Sequence, residues 1–405
     1  MGPGLAHYRQ ERGQGHHGRR FLSEILVVAG DPSGDVHGAR LVEALKAEIP
    51  GLRAAAVGGP LMKRAADVFL EDLASRGISG FLEPLFSLGF LRALLRRLKA
   101  YLLEKKPAAL IVVDYYGFNR RVLPLAKAAG VPAYYYVSPQ VWASRPGRAA
   151  VIARLVRRVF AIFPFEEEVY SRAGAACTFI GHPLLDAVPP AAEKKDIGNP
   201  LQVALLPGSR AMEVRRHLPV FLDAFDELRR HFPAVEAYVF AAASLRDEAY
   251  AAAQTRGAKI IRESDYKVRA QMDVAFCSSG TATLENALLG LPMVVIYRLS
   301  WPTYWIARVL IRVPYIAMAN LLAGRLLVPE LIQGRANKND IALAAKEILE
   351  SPVQYRELRA ALVALRGVLG EPGGARRAAR AIAEDLRSLG RIDGSSLARA
   401  AEPRG

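Results

Sequence analysis

The stretch EILVVAGDPSGDV at residues 24–36 sets an apolar run rich in branched side chains against a Gly-Asp-Pro-Ser-Gly-Asp turn, then opens a helix at Val36. An apolar run without alternation is the pattern of a strand covered on both faces, as in a parallel sheet. The unit recurs at ALIVVD (109–114), AYYYV (133–137) and RVFAIF (158–163), each followed by a turn signal and a helix-length segment. A second set follows at LQVALLPG (201–208), VEAYVFAA (235–242), DVAFCSSG (273–280) and PMVVIYR (292–298). Between the sets, VPPAAEKKDIGNP at 188–200 has the Pro, Gly and charge content of a linker. The alternation predicts an α/β chain of two Rossmann-like doubly wound domains facing across a cleft. The expected boundaries are 22–190 for the N-terminal domain, 198–350 for the C-terminal domain and 352–392 for C-terminal helices, with disordered ends at 1–21 and 393–405.

A chain of 405 residues has room for two or three such domains. Hydrophobic residues at 52% and charged residues at 23% are globular proportions, which exclude wholesale disorder and fibrous architecture. The net charge of +16 favours an anionic partner and leaves nucleic acid, anionic lipid and phosphorylated small molecules open. Two cysteines, Cys177 and Cys277, are too few for a disulfide framework and point to a reducing compartment. Residues 1–21 lack the apolar core of a secretory signal. The longest stretch free of acidic and basic residues, 128–144, is broken by Pro132 and Pro139, and a spanning helix needs about 20 apolar residues, so none is expected. Phe81–Lys106 is different: an apolar stripe from Phe86 through Phe90, Leu94, Leu98 and Leu102 shares the segment with six cations. This composition suits either a core-facing helix or a membrane-surface helix.

In doubly wound sheets ligands bind beyond the carboxyl ends of the strands, so the loops after the apolar runs are the candidates for function. Asp31, Ser33, Gly34 and Asp35 form a glycine-containing turn at a helix start, suited to an oxyanion or sugar hydroxyl, or simply to capping. Asp114, with Asn119 in the same loop, ends the most apolar strand of the first half, where a carboxylate can take a proton from a hydroxyl nucleophile. Ser138, Gln140 and Trp142 follow the next strand, with Arg145 and Arg148 behind them. In the second half, Gly208, Ser209 and Arg210 offer backbone donors and a guanidinium to a diphosphate. Ser279, Gly280, Thr281, Ala282 and Thr283 repeat the arrangement, and Glu285, one turn on, suits the vicinal hydroxyls of a ribose. Two such loops in one domain point to a nucleoside diphosphate. No Walker loop, no GxGxxG after a strand, no DxD and no paired-histidine spacing occurs, which disfavours NTPases, dinucleotide oxidoreductases and metal-dependent mechanisms. His182 reads as a satisfied loop histidine.

Taken together, GDPSGD, DYYGFN, YYVSPQVWASR, FPFE, FIGHPL, LLPGSR, SGTATLE and NLLAGRLLVPELIQ, in unbroken order over residues 22–345, resemble the lipid-A-disaccharide synthase family of type B glycosyltransferases. The resemblance implies a hexosyltransferase that moves 2,3-diacylglucosamine from its UDP derivative to the 6-hydroxyl of 2,3-diacylglucosamine 1-phosphate. The products are a β-1,6-linked disaccharide and UDP, in the lipid A pathway of a Gram-negative bacterium. It implies an inverting displacement with Asp114 as general base, and Arg210 with the 279–283 loop neutralising the leaving diphosphate. Glu285 is then on the ribose, Asn320 as a further catalytic residue and Gln333 as a substrate-binding one face the cleft, and no cofactor or metal takes part. It also implies a cytoplasmic enzyme peripheral to the inner membrane, docked through Phe81–Lys106, and a homodimer formed through the C-terminal helices. The chain departs from the family pattern at Asp31, usually Glu, at Tyr116, usually Pro, and at Ser144, usually Trp.

Two other readings compete. One is another type B enzyme using UDP-N-acetylglucosamine, either a lipid-linked sugar transferase or a 2-epimerase. The other, a basic nucleic-acid binder, is disfavoured because the cations are not interleaved with aromatics in a stacking platform.

Overall fold

The computed structural model describes residues 23–76, 83–144, 147–193, 196–263, 265–299, 304–305 and 313–393. The extension at 1–21, Arg145, the tail beyond 393 and the side chains of Phe86, Leu88 and Ser144 lie outside the described residues.

The first sheet contains β1 (Glu24–Ala29), β2 (Arg53–Gly58), β3 (Val68–Asp72), β4 (Ala109–Val113), β5 (Ala133–Tyr136), β6 (Arg158–Ala161) and β7 (Cys177–Phe179). All are parallel, in the order β3-β2-β1-β4-β5-β6-β7. The second contains β8 (Leu201–Leu206), β9 (Val235–Phe240), β10 (Lys259–Ile261), β11 (Val274–Ser278), β12 (Met293–Tyr297) and β13 (Glu330–Ile332), parallel in the order β10-β9-β8-β11-β12-β13. Helices cover both faces, so Ile25 through Ala29 and Ala109 through Val113 are wholly buried, which is why these strands read as unbroken apolar runs.

In each sheet the chain winds outward, returns to the middle and winds the other way, which leaves a crevice where the direction reverses. The reversals lie between β1 and β4 and between β8 and β11. Register makes each crevice specific. Ala29 pairs with Val113, so Gly30 and Asp114 emerge side by side. Leu206 pairs with Cys277, so the loops at 207–210 and 279–281 do the same.

One apolar cluster covers the outer face of the first sheet, another that of the second, and a third runs continuously between them through Ile180, Leu185, Val188, Leu362 and Leu369. The C-terminal helices expected at 352–392 complete this third cluster. Helix Pro352–Val368 packs on Thr281–Leu288 and Met318–Ala323 of the second sheet's layer, with the Tyr355 hydroxyl donating to the Asp273 carbonyl at 3.0 Å. Helix Gly374–Ser388 crosses back onto Pro32–Glu48 and buries Ala378, Ala379, Ile382, Ala383 and Leu386. Arg157 grips Asp385 through two bonds of 2.7 and 2.8 Å, and the Tyr134 hydroxyl donates to the same carboxylate.

Phe81–Lys106 forms helix Glu83–Lys105. Leu94, Leu98 and Leu102, spaced one turn apart, are buried against the first sheet, and Phe90, Leu91 and Leu95 flank them. Each such leucine contributes about 1.5–3 kcal/mol by burial, which a membrane-inserted stripe would forfeit. This corrects the expected docking surface: the C-terminal two-thirds of the stripe is core, while Leu103 is half exposed. Among the described residues, no helix is long and apolar enough to cross a membrane.

Candidate active site

The β1/β4 crevice is strained where the carboxylate sits. Asp114 and Tyr115 have φ of +42° and +32°, and Val137, at the end of β5, has +54°. Left-handed geometry costs a residue other than glycine about 1–3 kcal/mol and persists only where surroundings impose it. Here they do. The Asn119 amide donates to the Val113 carbonyl at 3.0 Å and the Asp114 carbonyl at 2.8 Å, and the Tyr135 hydroxyl donates to the Asp114 carbonyl. Gly30 supplies the space: a Cβ there would lie 2.0 Å from the Tyr115 ring, so only glycine lets the two loops meet.

The Asp114 carboxyl is pushed up to about 7, mainly by burial, then by the nearby Asp31 charge, with a smaller push from Glu166 against the pull of the Tyr115 N–H. A base titrating near neutral pH is matched to general-base catalysis. Asp31 caps helix Pro32–Glu48, its Oδ1 accepting from Gly34 N at 2.6 Å and from the Ser33 hydroxyl at 3.2 Å. Ser33 itself is exposed.

Three sequence expectations in this half change. Asp35 is buried, and its carboxylate accepts from the N–H groups of Gly59, Leu61 and Met62 at 2.8–2.9 Å, so both its oxygens are engaged in capping helix Pro60–Ala65. Ser138 is also buried, leaving Gln140 as the exposed member of its loop. Trp142 is a tethered ring: its N–H donates to Glu166 at 3.0 Å and it meets Phe165 edge-on at 4.9 Å. Glu166, pushed up to about 7 by burial, also accepts from Ile162 and Phe163 N–H groups at 3.1 Å. His182 is held neutral, lowered to about 3 by burial, and its Nδ1 accepts from Leu184 N, in keeping with a satisfied loop histidine.

The β8/β11 crevice is open. A pocket of about 420 Å³ lies beyond the strand ends, walled by Gly208, Ser209 and Arg210 on one side and by Ser279 through Ala282 on the other, with Glu285 at its base. Gly280 adopts φ +154°, ψ −164°, and a Cβ there would meet nothing within 4 Å, so the loop is open on the ligand side. The N–H groups of Thr281 and Ala282 head helix Thr281–Leu288 without intrahelical acceptors, the ordinary seat for a phosphate.

Two expectations change here. Ser209 and Arg210 N–H groups donate to Glu213 Oε2 at 3.0 and 3.2 Å, so the first loop offers a diphosphate its guanidinium, paired at 3.1 Å with Glu213 and largely exposed, before its amides. Thr283 is fully buried, its hydroxyl donating to the Gly280 carbonyl at 2.8 Å. Glu285 does face the pocket, held at 2.6 Å by Arg269, which lies between the rings of Phe240 and Tyr266 at 5.2 and 5.1 Å and 3.5 Å from Glu263. Sequence reading missed this network, because nothing local marks Arg269 as the partner of Glu285.

Asn320 and Gln333 are not at the pocket. Asn320 is fully buried, donating to the Val328 carbonyl and Glu330 and accepting from the N–H groups of Leu327 and Val328, each at 2.8 Å. Gln333, at φ +52°, exchanges bonds with the Leu299 backbone at 2.7 and 3.3 Å. Both position the loops around β12 and β13.

Two doubly wound parallel sheets, each with its reversal crevice lined by the functional loops, define the type B glycosyltransferase fold. Solved structures share that fold: a UDP-bound MnaA from S. aureus (TM-score 0.62, 13% identity, 92% of this chain and 99% of that one) and a glycotransferase of kitacinnamycin (0.59, 16%, 90% and 99%). The lipid-A-disaccharide synthetase family model matches residues 25–368. Curated lipid-A-disaccharide synthases of Syntrophus aciditrophicus (41% identity, 88% of this chain, 96% of the relative) and Geobacter metallireducens (39%, 89%, 97%) align over nearly their whole lengths. The chain belongs to the lipid-A-disaccharide synthase family.

Proposed function

We propose that the chain joins UDP-2,3-diacylglucosamine to 2,3-diacylglucosamine 1-phosphate, releasing UDP and the β-1,6-linked disaccharide 1-phosphate. The 6-hydroxyl oxygen of the acceptor attacks C1 of the donor sugar as the bond from C1 to the diphosphate breaks, and Asp114 takes the hydroxyl proton. The leaving diphosphate gains its stabilisation from the Arg210 guanidinium and the N–H groups heading helix Thr281–Leu288. Glu285, fixed by Arg269, takes the ribose hydroxyls. The first domain thus holds acceptor and base, the second the nucleotide.

The observation that carries this reading is Asp114, a half-buried carboxylate pushed up toward neutral pH by its surroundings and held by strained backbone at the crevice of the first sheet. The epimerase alternative finds no support beyond fold, since the epimerase structures resemble this chain at low identity. The setting proposed is the cytoplasmic face of the inner membrane, with the start of helix Glu83–Lys105 and its cations toward anionic lipid. A homodimer would use the outer faces of the C-terminal helices, where Val353 and Val368 are exposed.

The test is incubation in mixed micelles with both acylated substrates, with Asp114→Asn as control. Disaccharide from the wild type alone supports the reaction and the base together. Equal turnover by Asp114→Asn removes the base, and no product while UDP still binds removes the acceptor assignment.

A further inference from the structure

Beside the base lies a second pocket, of about 450 Å³, lined by Tyr116, Gly117, Arg120, Arg121 and Arg148. Three guanidiniums and no carboxylate line it. Arg120 makes no hydrogen bond or ion pair among the described residues, and Arg121 is aimed by a 2.7 Å bond from its Nη1 to the Gly117 carbonyl. Arg148 lies 4.4 Å over the ring of Tyr116, a cation–π contact that fixes the plane of its fork. Helix Tyr116–Ala128 starts here, and no side chain caps its N-terminus, so the helix dipole adds positive potential to that of the arginines.

Resting on the reaction proposed above, we propose that this pocket takes the anomeric phosphate of the acceptor sugar. Like charges gathered in a pocket repel, and a phosphomonoester, carrying about −1.5 to −2 near neutral pH with three acceptor oxygens, offsets them better than a hydroxyl or a singly charged phosphodiester. Position agrees. Tyr116 is two residues past Asp114, so their Cα atoms are at most about 7 Å apart, the scale of one pyranose ring between a 6-hydroxyl at the base and a phosphate in the pocket. The Tyr116 ring is also what carries Arg148.

The binding arm of the test needs no acylated substrate. Glucosamine 1-phosphate and glucosamine are titrated by NMR into the wild type, Arg120→Ala/Arg148→Ala and Arg120→Lys/Arg148→Lys, with UDP affinity confirming that each variant is folded. The phosphorylated sugar should bind the wild type and lose about 10- to 100-fold in affinity in the alanine variant, the loss expected for removed charge-assisted bonds, while glucosamine binds neither. In turnover the alanine variant should raise the acceptor KM far more than it lowers kcat, and lose the preference for acceptor with phosphate over acceptor without it. Unchanged glucosamine 1-phosphate affinity in the alanine variant overturns the proposal. If that affinity holds while binding to phosphatidylglycerol vesicles falls, the pocket is a lipid headgroup contact and the proposal is equally overturned. Phosphate-dependent sugar binding through these arginines without any product leaves the pocket standing and removes the reaction. Product formed equally well from both acceptors does the reverse.

Discussion

The two reversal crevices are built alike and equipped differently. Both stand at the carboxyl ends of paired central strands, yet the first has residues other than glycine in left-handed geometry, a half-buried carboxylate and aromatic packing, whereas the second has an open pocket, an exposed arginine and glycines, Gly208 and Gly280, at its positive-φ positions. Holding a diphosphate requires donors aimed outward and little strain. Raising a carboxyl toward neutral pH requires taking it from water, and that requires a backbone held in place by Asn119, Tyr135 and the glycine gap at Gly30.

The largest expected effect separates the two. Asp114→Asn should lower turnover by about 10²- to 10⁴-fold with UDP affinity unchanged, measured by product formation beside calorimetry; a parallel loss of UDP affinity would break the division of labour. Arg210→Ala should weaken UDP binding by about 10- to 100-fold, with turnover falling alongside. Gly30→Ala puts a Cβ into the Tyr115 ring and loads the base loop with about 1–3 kcal/mol of strain, so kcat should fall while UDP binds normally. Asp31→Asn keeps a competent helix cap but removes the charge that helps raise Asp114. The base acts deprotonated, so activity declines as pH falls through about 7, and without Asp31 this acid limb should move to lower pH; an unmoved limb would assign it to another group. Tyr134→Phe should be the mildest, costing about 0.5–1.5 kcal/mol of stability by loss of one bond to Asp385, read as a lower Tm with catalysis intact.

How much of this was legible follows from where the determinants lie along the chain. Central strands rich in Val, Ile and Tyr announced themselves, and with them both crevices and their loops. β2, RAAAVG, did not, because alanine carries little strand preference, and the short edge strands β3, β7, β10 and β13 present too few residues for a pattern. Candidate positions were legible where a strand end carries them into a crevice, as at Asp114 after β4 and Gly280 after β11. They were misread where a distant segment decides. Asp35 bonds backbone 24 to 27 residues away, and Asn320 closes on a loop eight residues on that no spacing rule singles out.

The return of helix Gly374–Ser388 to the first domain has a bearing on how the protein is made. The ribosome finishes the first sheet early, at about 5–20 residues per second, but the part of helix Pro32–Glu48 that packs on the last helix stays uncovered until that helix has emerged. From Phe179, where the first sheet ends, to Gly374, where the last helix starts, synthesis advances 195 positions. The nascent first domain therefore exposes a greasy seam throughout that interval, a natural target for a chaperone, and a chain cut short before Gly374 should leave that seam open for good.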